Sequence, residues 1–164
     1  MRKYLFVLSV AMVVLFLDQV TKSYIREHLG LYDSIVVIDS FFQITHLQNP
    51  GAAFGLLADS HPSWRIPFFL LVGAVAVTAL GFFVRRIEDH RRLLLASLGG
   101  ILGGAFGNLA DRIRIGAVTD FLDFHFKGYH WPAFNVADSG ITVGMVILIL
   151  YSLFAPDGLG ETST

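Results

Sequence analysis

Phe134-Asn-Val-Ala-Asp-Ser-Gly-Ile-Thr-Val-Gly-Met-Val-Ile-Leu-Ile-Leu-Tyr-Ser-Leu-Phe154 is the stretch that decides the fold. From Ser139 to Phe154 it carries no charge and reads as a membrane-spanning helix, which leaves Asp138 at the edge of hydrocarbon. An ionised carboxylate at bilayer depth costs on the order of 2.5 kcal/mol or more, so an acid there calls for a functional reason. Asn135 stands three residues before it, on the same helix face.

The rest of the chain agrees with a membrane setting. Hydrophobic residues make up 54% of the 164, and mean hydropathy is +0.63, with the apolar residues in long uncharged blocks. Four spans are predicted, at about 4–22, 66–84, 93–111 and 134–154, within one membrane domain covering 1–164. That length leaves no room for a separate soluble domain. A net charge of -1, with arginines at span ends, gives no footprint for nucleic acid. The absence of cysteine removes disulfides, thiolate catalysis and cysteine-bound zinc.

Arg2 and Lys3 precede the apolar run Tyr4 to Leu17, as in a secretory signal, but Asp18-Gln-Val-Thr-Lys22 stands where a small-residue cleavage site would be. The first span is therefore expected to stay uncleaved. Asp18 and Lys22, four apart with the acid first, share a helix face; alone, they would also suit a solvated pair at a helix end.

Residues 23–63 form the long polar connection. Ile35 to Ile38 and Phe41 to Leu47 flank Asp39-Ser40 as two short strands, so a small extracytoplasmic β-sheet region at about 35–58 is expected between helices 1 and 2, on the membrane surface. Asn49-Pro-Gly-Ala-Ala-Phe-Gly55 follows; locally Asn49 shapes a turn, and alternatively its amide binds substrate backbone. The span at 66–84 reads as plain lipid-facing material. Arg85, Arg86, Arg91 and Arg92 crowd the next short loop and, with Arg2 and Lys3, mark the cytoplasmic side, although Lys22, Arg26, Arg65, Arg112, Arg114 and Lys127 fall on the other.

In the third span Gly99, Gly103 and Gly107 recur every fourth residue, with Gly100 and Gly104 alongside, which is the pattern of close helix contact. Asn108 and Asp111 then repeat the amide-to-acid spacing of Asn135 and Asp138; Asp111 with Arg112 could also be an ordinary helix-end pair. Residues 113–133 return outside with Asp120, Asp123, His125 and His130, and the tail 156–164 is expected to be disordered.

On this topology the polar residues of spans one, three and four all fall at their outer ends, where pairing costs less than facing lipid. A shared pocket follows. Within it Asp120 and Asp138 could hold a water, one taking its proton during attack on a peptide carbonyl and the other protonating the leaving nitrogen. Two adjacent carboxyls share a proton because both cannot ionise easily. Such a pair titrates as a unit, and it needs no metal or other cofactor.

Together these residues resemble the lipoprotein signal peptidase family, the bacterial type II signal peptidases, along nearly the whole chain. The resemblance is carried by Asp18-Gln-Val-Thr-Lys22, Asn49-Pro-Gly-Ala-Ala-Phe-Gly55, Gly107-Asn-Leu-Ala-Asp-Arg112, Val118-Thr-Asp-Phe121 and Phe134-Asn-Val-Ala-Asp138, in the family's order. It implies a four-span enzyme of the bacterial inner membrane, both termini cytoplasmic, with its active site towards the extracytoplasmic face. The implied activity removes signal peptides from prolipoproteins before a diacylglyceryl-modified cysteine, so the implied partners are those substrates and membrane lipid. The catalytic pair falls on Asp120 and Asp138, and the supporting positions on Asp18, Lys22, Asn49, Asn108, Asp111, Arg112 and Asn135.

Rival readings use some of the same residues. A metal site could draw on Asp120, Asp123, His125 and His130, but no His-Glu-x-x-His helix is present. A proton-coupled membrane transporter or channel subunit would also use intramembrane acids, yet these sit at one end of the spans and no inverted repeat is visible. A purely structural scaffold explains the glycine ladder and leaves the acids unexplained.

Overall fold

The computed structural model describes residues 1–51, 57 and 60–154. Ala52 to Gly55 of the Asn-Pro-Gly motif, and the tail 156–164, lie outside the described residues. Four helices are long and apolar enough to cross a membrane: α1 (Arg2–His28), α2 (Pro62–Arg86), α3 (Arg92–Ile115) and α4 (Val136–Phe154). An antiparallel sheet joins them in the order β1 (Ser34–Ile38), β2 (Phe42–Asn49), β3 (Val118–Phe126), β4 (Tyr129–His130).

The hub is α3. Its most apolar stretch is 56% buried, against 17% for α1, 0% for α2 and 11% for α4, and it packs against all three. Glycine makes this possible on two faces. A methyl group on Gly99 would meet Val10 Cβ at 2.7 Å and on Gly103 would meet Val14 Cβ at 2.9 Å, so this stripe admits α1. One on Gly100 would meet Gly140 O at 3.2 Å and on Gly104 would meet Ile141 Cγ1 at 2.8 Å, so the other admits α4. Backbones approach closely where no side chain intervenes, and the ladder is spent within the chain.

Helix α1 runs past the hydrocarbon length expected for its span because Lys22 and Arg26 keep its face bonded to α3. Gly116, at φ 74°, accommodates the left-handed turn that ends α3; its N–H donates to Arg112 O at 3.1 Å, and β3 begins two residues later. The sequence reading placed the sheet between helices 1 and 2 and left 113–133 as a connection. The structure adds β3 and β4 from that connection, with β3 pairing β2 from Phe42↔Phe124 to Asn49↔Val118 across a register shift between Ile44 and Leu47. Lys127 and Gly128, at φ 50° and 82°, turn the β3–β4 hairpin as a two-residue loop of the primed type requires. Helix α4 starts at Val136 and not at 134, because Phe134 is held as a bridge to β3: its carbonyl accepts from Leu122 N–H at 2.8 Å and its N–H donates to Leu122 O at 3.1 Å.

At the far end of the bundle Lys3 Nζ donates to Ile87 O at 2.7 Å and Arg85 O at 3.1 Å, so the N-terminus is tied to the short α2–α3 link. The sheet, the start of α4 and the ends of α1 and α3 gather at the opposite end.

Candidate active site

The largest fully buried side chains include Lys22, Asn135, Thr119, Asp18 and Asp111, an inversion that a bundle in lipid permits only where polar groups satisfy one another. Lys22 is the centre of the inner group. Its ammonium, 0% exposed, meets Asp18 Oδ2 at 2.9 Å, Asp111 Oδ2 at 3.3 Å and Asn108 Oδ1 at 2.8 Å, one acceptor for each proton.

Each of the two acids has a second duty. Asp18 Oδ1 accepts the Ala137 N–H at 2.9 Å, capping the first turn of α4 from a different helix, where the helix dipole favours a negative charge. Asp111 Oδ2 accepts the Thr119 N–H at 3.0 Å and so fixes the start of β3, while its Oδ1 meets Arg26 Nη1 at 3.3 Å. The position next to Thr119 is Asp120, and the position next to Ala137 is Asp138. The ion cluster thus holds the two segments that carry the outer acids.

Those acids are dressed by amides. Asp120 Oδ1 accepts from Asn135 Nδ2 at 2.7 Å and its Oδ2 from Asn49 Nδ2 at 3.2 Å. Asp138 Oδ1 accepts from Asn108 Nδ2 at 2.7 Å, and Asn135 Oδ1 accepts the Asp138 N–H at 2.9 Å. Asn49 also shapes its turn, accepting the Gly51 N–H on Oδ1 at 3.0 Å while its Nδ2 serves Asp120. Asp120 is 4% exposed. Burial, and next the charge of Asp138, push its carboxyl from 3.8 up to about 7, against the pull of the Asn49 and Asn135 amides and of Lys22.

Both acids line a cavity of about 580 Å³ with Asn49, Asn108 and Arg112 on its polar side and Trp131, Ile141 and Val143 on its apolar side. Arg112 and Asp111 turn to different partners. The guanidinium donates to Gly51 O at 2.7 Å and lies 4.3 Å from the Phe69 ring, so α2 supplies part of the site's support and is more than lipid-facing material.

All nine residues singled out from sequence therefore meet at one end of the bundle. Arg26 and Thr119 were missed as site residues: Arg26 Nη1 donates to Thr119 Oγ1 at 3.0 Å and binds Asp111. The signal was present, since Asp18, Lys22 and Arg26 are spaced by four. Asp123, His125 and His130 stand apart from the cavity lining. Asp123 accepts from Gln43 Nε2 at 2.6 Å and meets His130 Nδ1 at 2.9 Å, and the two imidazoles stack at 4.7 Å. Among the described residues no group of three or more His, Asp or Glu side chains is arranged to hold a metal ion.

The fold and site define a multi-pass helical membrane protein with paired carboxyls in a cavity at one end. Residues 10–154 match the family model described as signal peptidase (SPase) II. The chain is 53% identical over 134 residues to the lipoprotein signal peptidase of Geobacter sulfurreducens, covering 82% of each chain. It is 46% identical over 145 residues to that of Desulforapulum autotrophicum, covering 88% of this chain and 90% of the relative. A solved structure described as a bacterial membrane enzyme, obtained by the in meso method, superposes with a TM-score of 0.80 at 32% identity, over 96% of this chain and 93% of that one. The chain belongs to the signal peptidase II family, whose members are aspartic-type proteases, and it is a multi-pass bacterial membrane protein. The transporter reading gives way to this membership.

Proposed function

We propose that this protein cleaves the signal peptide from diacylglyceryl-modified prolipoproteins, before the lipidated cysteine, with Asp120 and Asp138 as the catalytic pair. The observation that carries the reading is the pair itself: two carboxyls linked through Asn135, one at the sheet and one in the first turn of a spanning helix, opening into one cavity. A water between them would attack the peptide carbonyl as one carboxylate takes its proton, and the other carboxyl would protonate the departing nitrogen. The cavity's wall along α4 continues through Ser139, Ile141, Thr142 and Val143 into the span, which suits a substrate that arrives within the bilayer.

The whole chain acts as one catalytic membrane unit in the bacterial inner membrane, with both termini cytoplasmic and the site towards the extracytoplasmic face. Arginine density in the α2–α3 link and the Lys3 tie to that link support this orientation. The remaining polar residues support and position the pair: Asp18, Lys22 and Asp111 from behind, Asn49, Asn108, Asn135 and Arg112 at the cavity.

The test is a gel-shift assay with purified protein in detergent and a prolipoprotein with or without diacylglycerol. The reading expects cleavage of the lipidated form alone, unaffected by chelator, and reduced by several orders of magnitude in folded Asp120→Asn and Asp138→Asn. Near-normal turnover in either variant would reject the pair.

A further inference from the structure

A second cavity, of about 290 Å³, lies between α1, α2 and α3 and shares no residue with the one that holds the acids. Val7, Val84 and Leu98 form its floor, at 4%, 5% and 1% exposure, and Tyr4, Leu8 and Phe106 form a rim that stays open on the surface of the bundle. Among the described residues no charged side chain lines it. Along α3 it runs from Leu98 to Phe106, about 12 Å at 1.5 Å per residue, against roughly 15 Å for one leaflet's share of a 30 Å hydrocarbon core. Helix α1 packs on α3 and α4, and α2 packs on α3, so the groove is where α1 and α2 leave α3 uncovered. Left empty, its walls would forfeit dispersion contacts, and a water there would find no hydrogen-bond partners.

The mouth of the groove is basic. Lys3 Nζ donates to Arg85 O at 3.1 Å and to Ile87 O at 2.7 Å, which brings the start of α1 beside the end of α2, where Tyr4 and Val84 line the groove. The acids of the α2–α3 link are already engaged: Glu88 meets Arg91 Nε at 3.0 Å and His90 Nε2 at 3.7 Å, and Asp89 meets Lys3 Nζ at 4.0 Å. Among the described residues the exposed guanidiniums of Arg2, Arg85 and Arg86 form no ion pair. Uncompensated cations at the rim of a hollow between spanning helices suit an anionic lipid headgroup. We propose that the groove is a lipid site: one acyl chain of an anionic phospholipid lies along α3 between α1 and α2, with its phosphate among Arg2, Arg85 and Arg86. The chain supplies packing to α2, whose most apolar stretch is otherwise 0% buried, and the lipid comes from the leaflet at the end of the bundle opposite the acids.

Native mass spectrometry tests this on purified full-length protein, stripped of lipid in detergent and titrated with dioleoyl phosphatidylglycerol or dioleoyl phosphatidylcholine. The first phosphatidylglycerol should bind at least about tenfold more tightly than phosphatidylcholine, and later ones should show no such preference. Leu8→Trp, which fills the groove from its exposed rim, should remove the tight site, whereas Leu71→Trp, at a position 64% exposed on α2 and outside the groove, should keep it. Arg85→Gln/Arg86→Gln should cut the preference at least about fivefold with phosphatidylcholine binding unchanged. A phosphatidylglycerol carrying a diazirine at mid-chain should label residues 77–84 or 98–106 of the parent. Equal affinity for the two lipids, a tight site that survives Leu8→Trp or is lost alike in Leu71→Trp, or label spread evenly over the four helices would leave only the ordinary lipid shell and overturn the site. An undiminished preference in the arginine variant would take the headgroup away from these residues and overturn it as well. The arginine change and the label alter nothing inside the bundle, so they decide the matter even if Leu8→Trp fails to fold.

Discussion

Replacing Gly104 by alanine tests how closely the site depends on helix contact some distance from the chemistry. The new methyl would sit against the Ala137 carbonyl oxygen, nearer than non-bonded atoms allow, with Ala137 C at 3.1 Å and Ile141 Cγ1 at 2.8 Å. The isoleucine can change rotamer, but the carbonyl belongs to the helix and can yield only if the start of α4 moves. Restoring van der Waals distance requires a displacement of roughly 1 Å, and overpacking of this kind costs about 1–3 kcal/mol. The displaced turn carries the Ala137 N–H bonded to Asp18 at 2.9 Å and Asp138 bonded to Asn108 at 2.7 Å, so both bonds lengthen together. A shift of about 1 Å in a reacting group costs on the order of a hundredfold in rate. Gly81→Ala is the control: among the described residues nothing lies within 4 Å of its added methyl, and alanine is the better helix former. Thermal unfolding and turnover of lipidated prolipoprotein should fall in Gly104→Ala and hold in Gly81→Ala. Turnover within about threefold of the parent and an unchanged Tm for Gly104→Ala would refute the argument.

Asp123→Asn is expected to keep turnover within about threefold, because Asp123 bonds Gln43 and His130 and does not line the cavity; in the same cleavage assay, a loss as deep as that of Asp120→Asn would mean the wrong acid has been chosen. Folded Asp120 holds its proton up to about 7 against 3.8 as its ordinary value, so between these limits the native state binds more protons than the unfolded one and stability falls as pH rises. The Tm should accordingly decline from pH 5 to pH 8 with a slope that flattens in Asp120→Asn, and an equally steep slope in the variant would assign the effect elsewhere. With no native cysteine to interfere, Asp39→Cys and Glu88→Cys report sidedness: an impermeant maleimide should label the first from outside intact spheroplasts and the second only after lysis, and the reverse pattern would invert the topology.

What the sequence made legible, and what it concealed, follows from the range of each interaction. Uncharged runs of spanning length and the every-fourth glycines are local signals, so the helices and the α3 contact faces could be read directly. Ile35 to Ile38 and Phe41 to Leu47 showed as strands for the same reason. The third strand was hidden in plain view: Leu122-Asp-Phe-His-Phe126 alternates, but its acid and histidine suited a solvated outer connection, and the β2 residues it pairs with lie more than seventy residues earlier. Asp18 and Asp111 presented local alternatives, an i,i+4 pair and a helix-end pair, that are each valid in isolation. Their actual duties, capping α4 and anchoring β3, run between elements and have no local signature. Asn49 showed its turn role and concealed its bond to Asp120.

That the side chains bonded to the two acids are amides and not cations has a physical reason. A cation in direct contact with both acids would hold both ionised, and the pair would lose the proton that one member must donate. An amide donates a hydrogen bond while adding no charge. Lys22 touches Asn108 and two carboxylates that largely neutralise it, so what reaches Asp138 is chiefly the direction of a hydrogen bond. Asn135 does the same for Asp120 while capping the turn that carries Asp138, so one side chain bonds both members of the pair. Exchanging Asn135 for aspartate, nearly identical in shape, would keep the cap on Oδ1 but turn the donor to Asp120 into a third carboxyl oxygen. Turnover should then fall by at least about a hundredfold while the Tm below pH 5, where that added carboxyl is protonated, stays near that of the parent. Turnover close to the parent at neutral pH would show that the amide's polarity is dispensable.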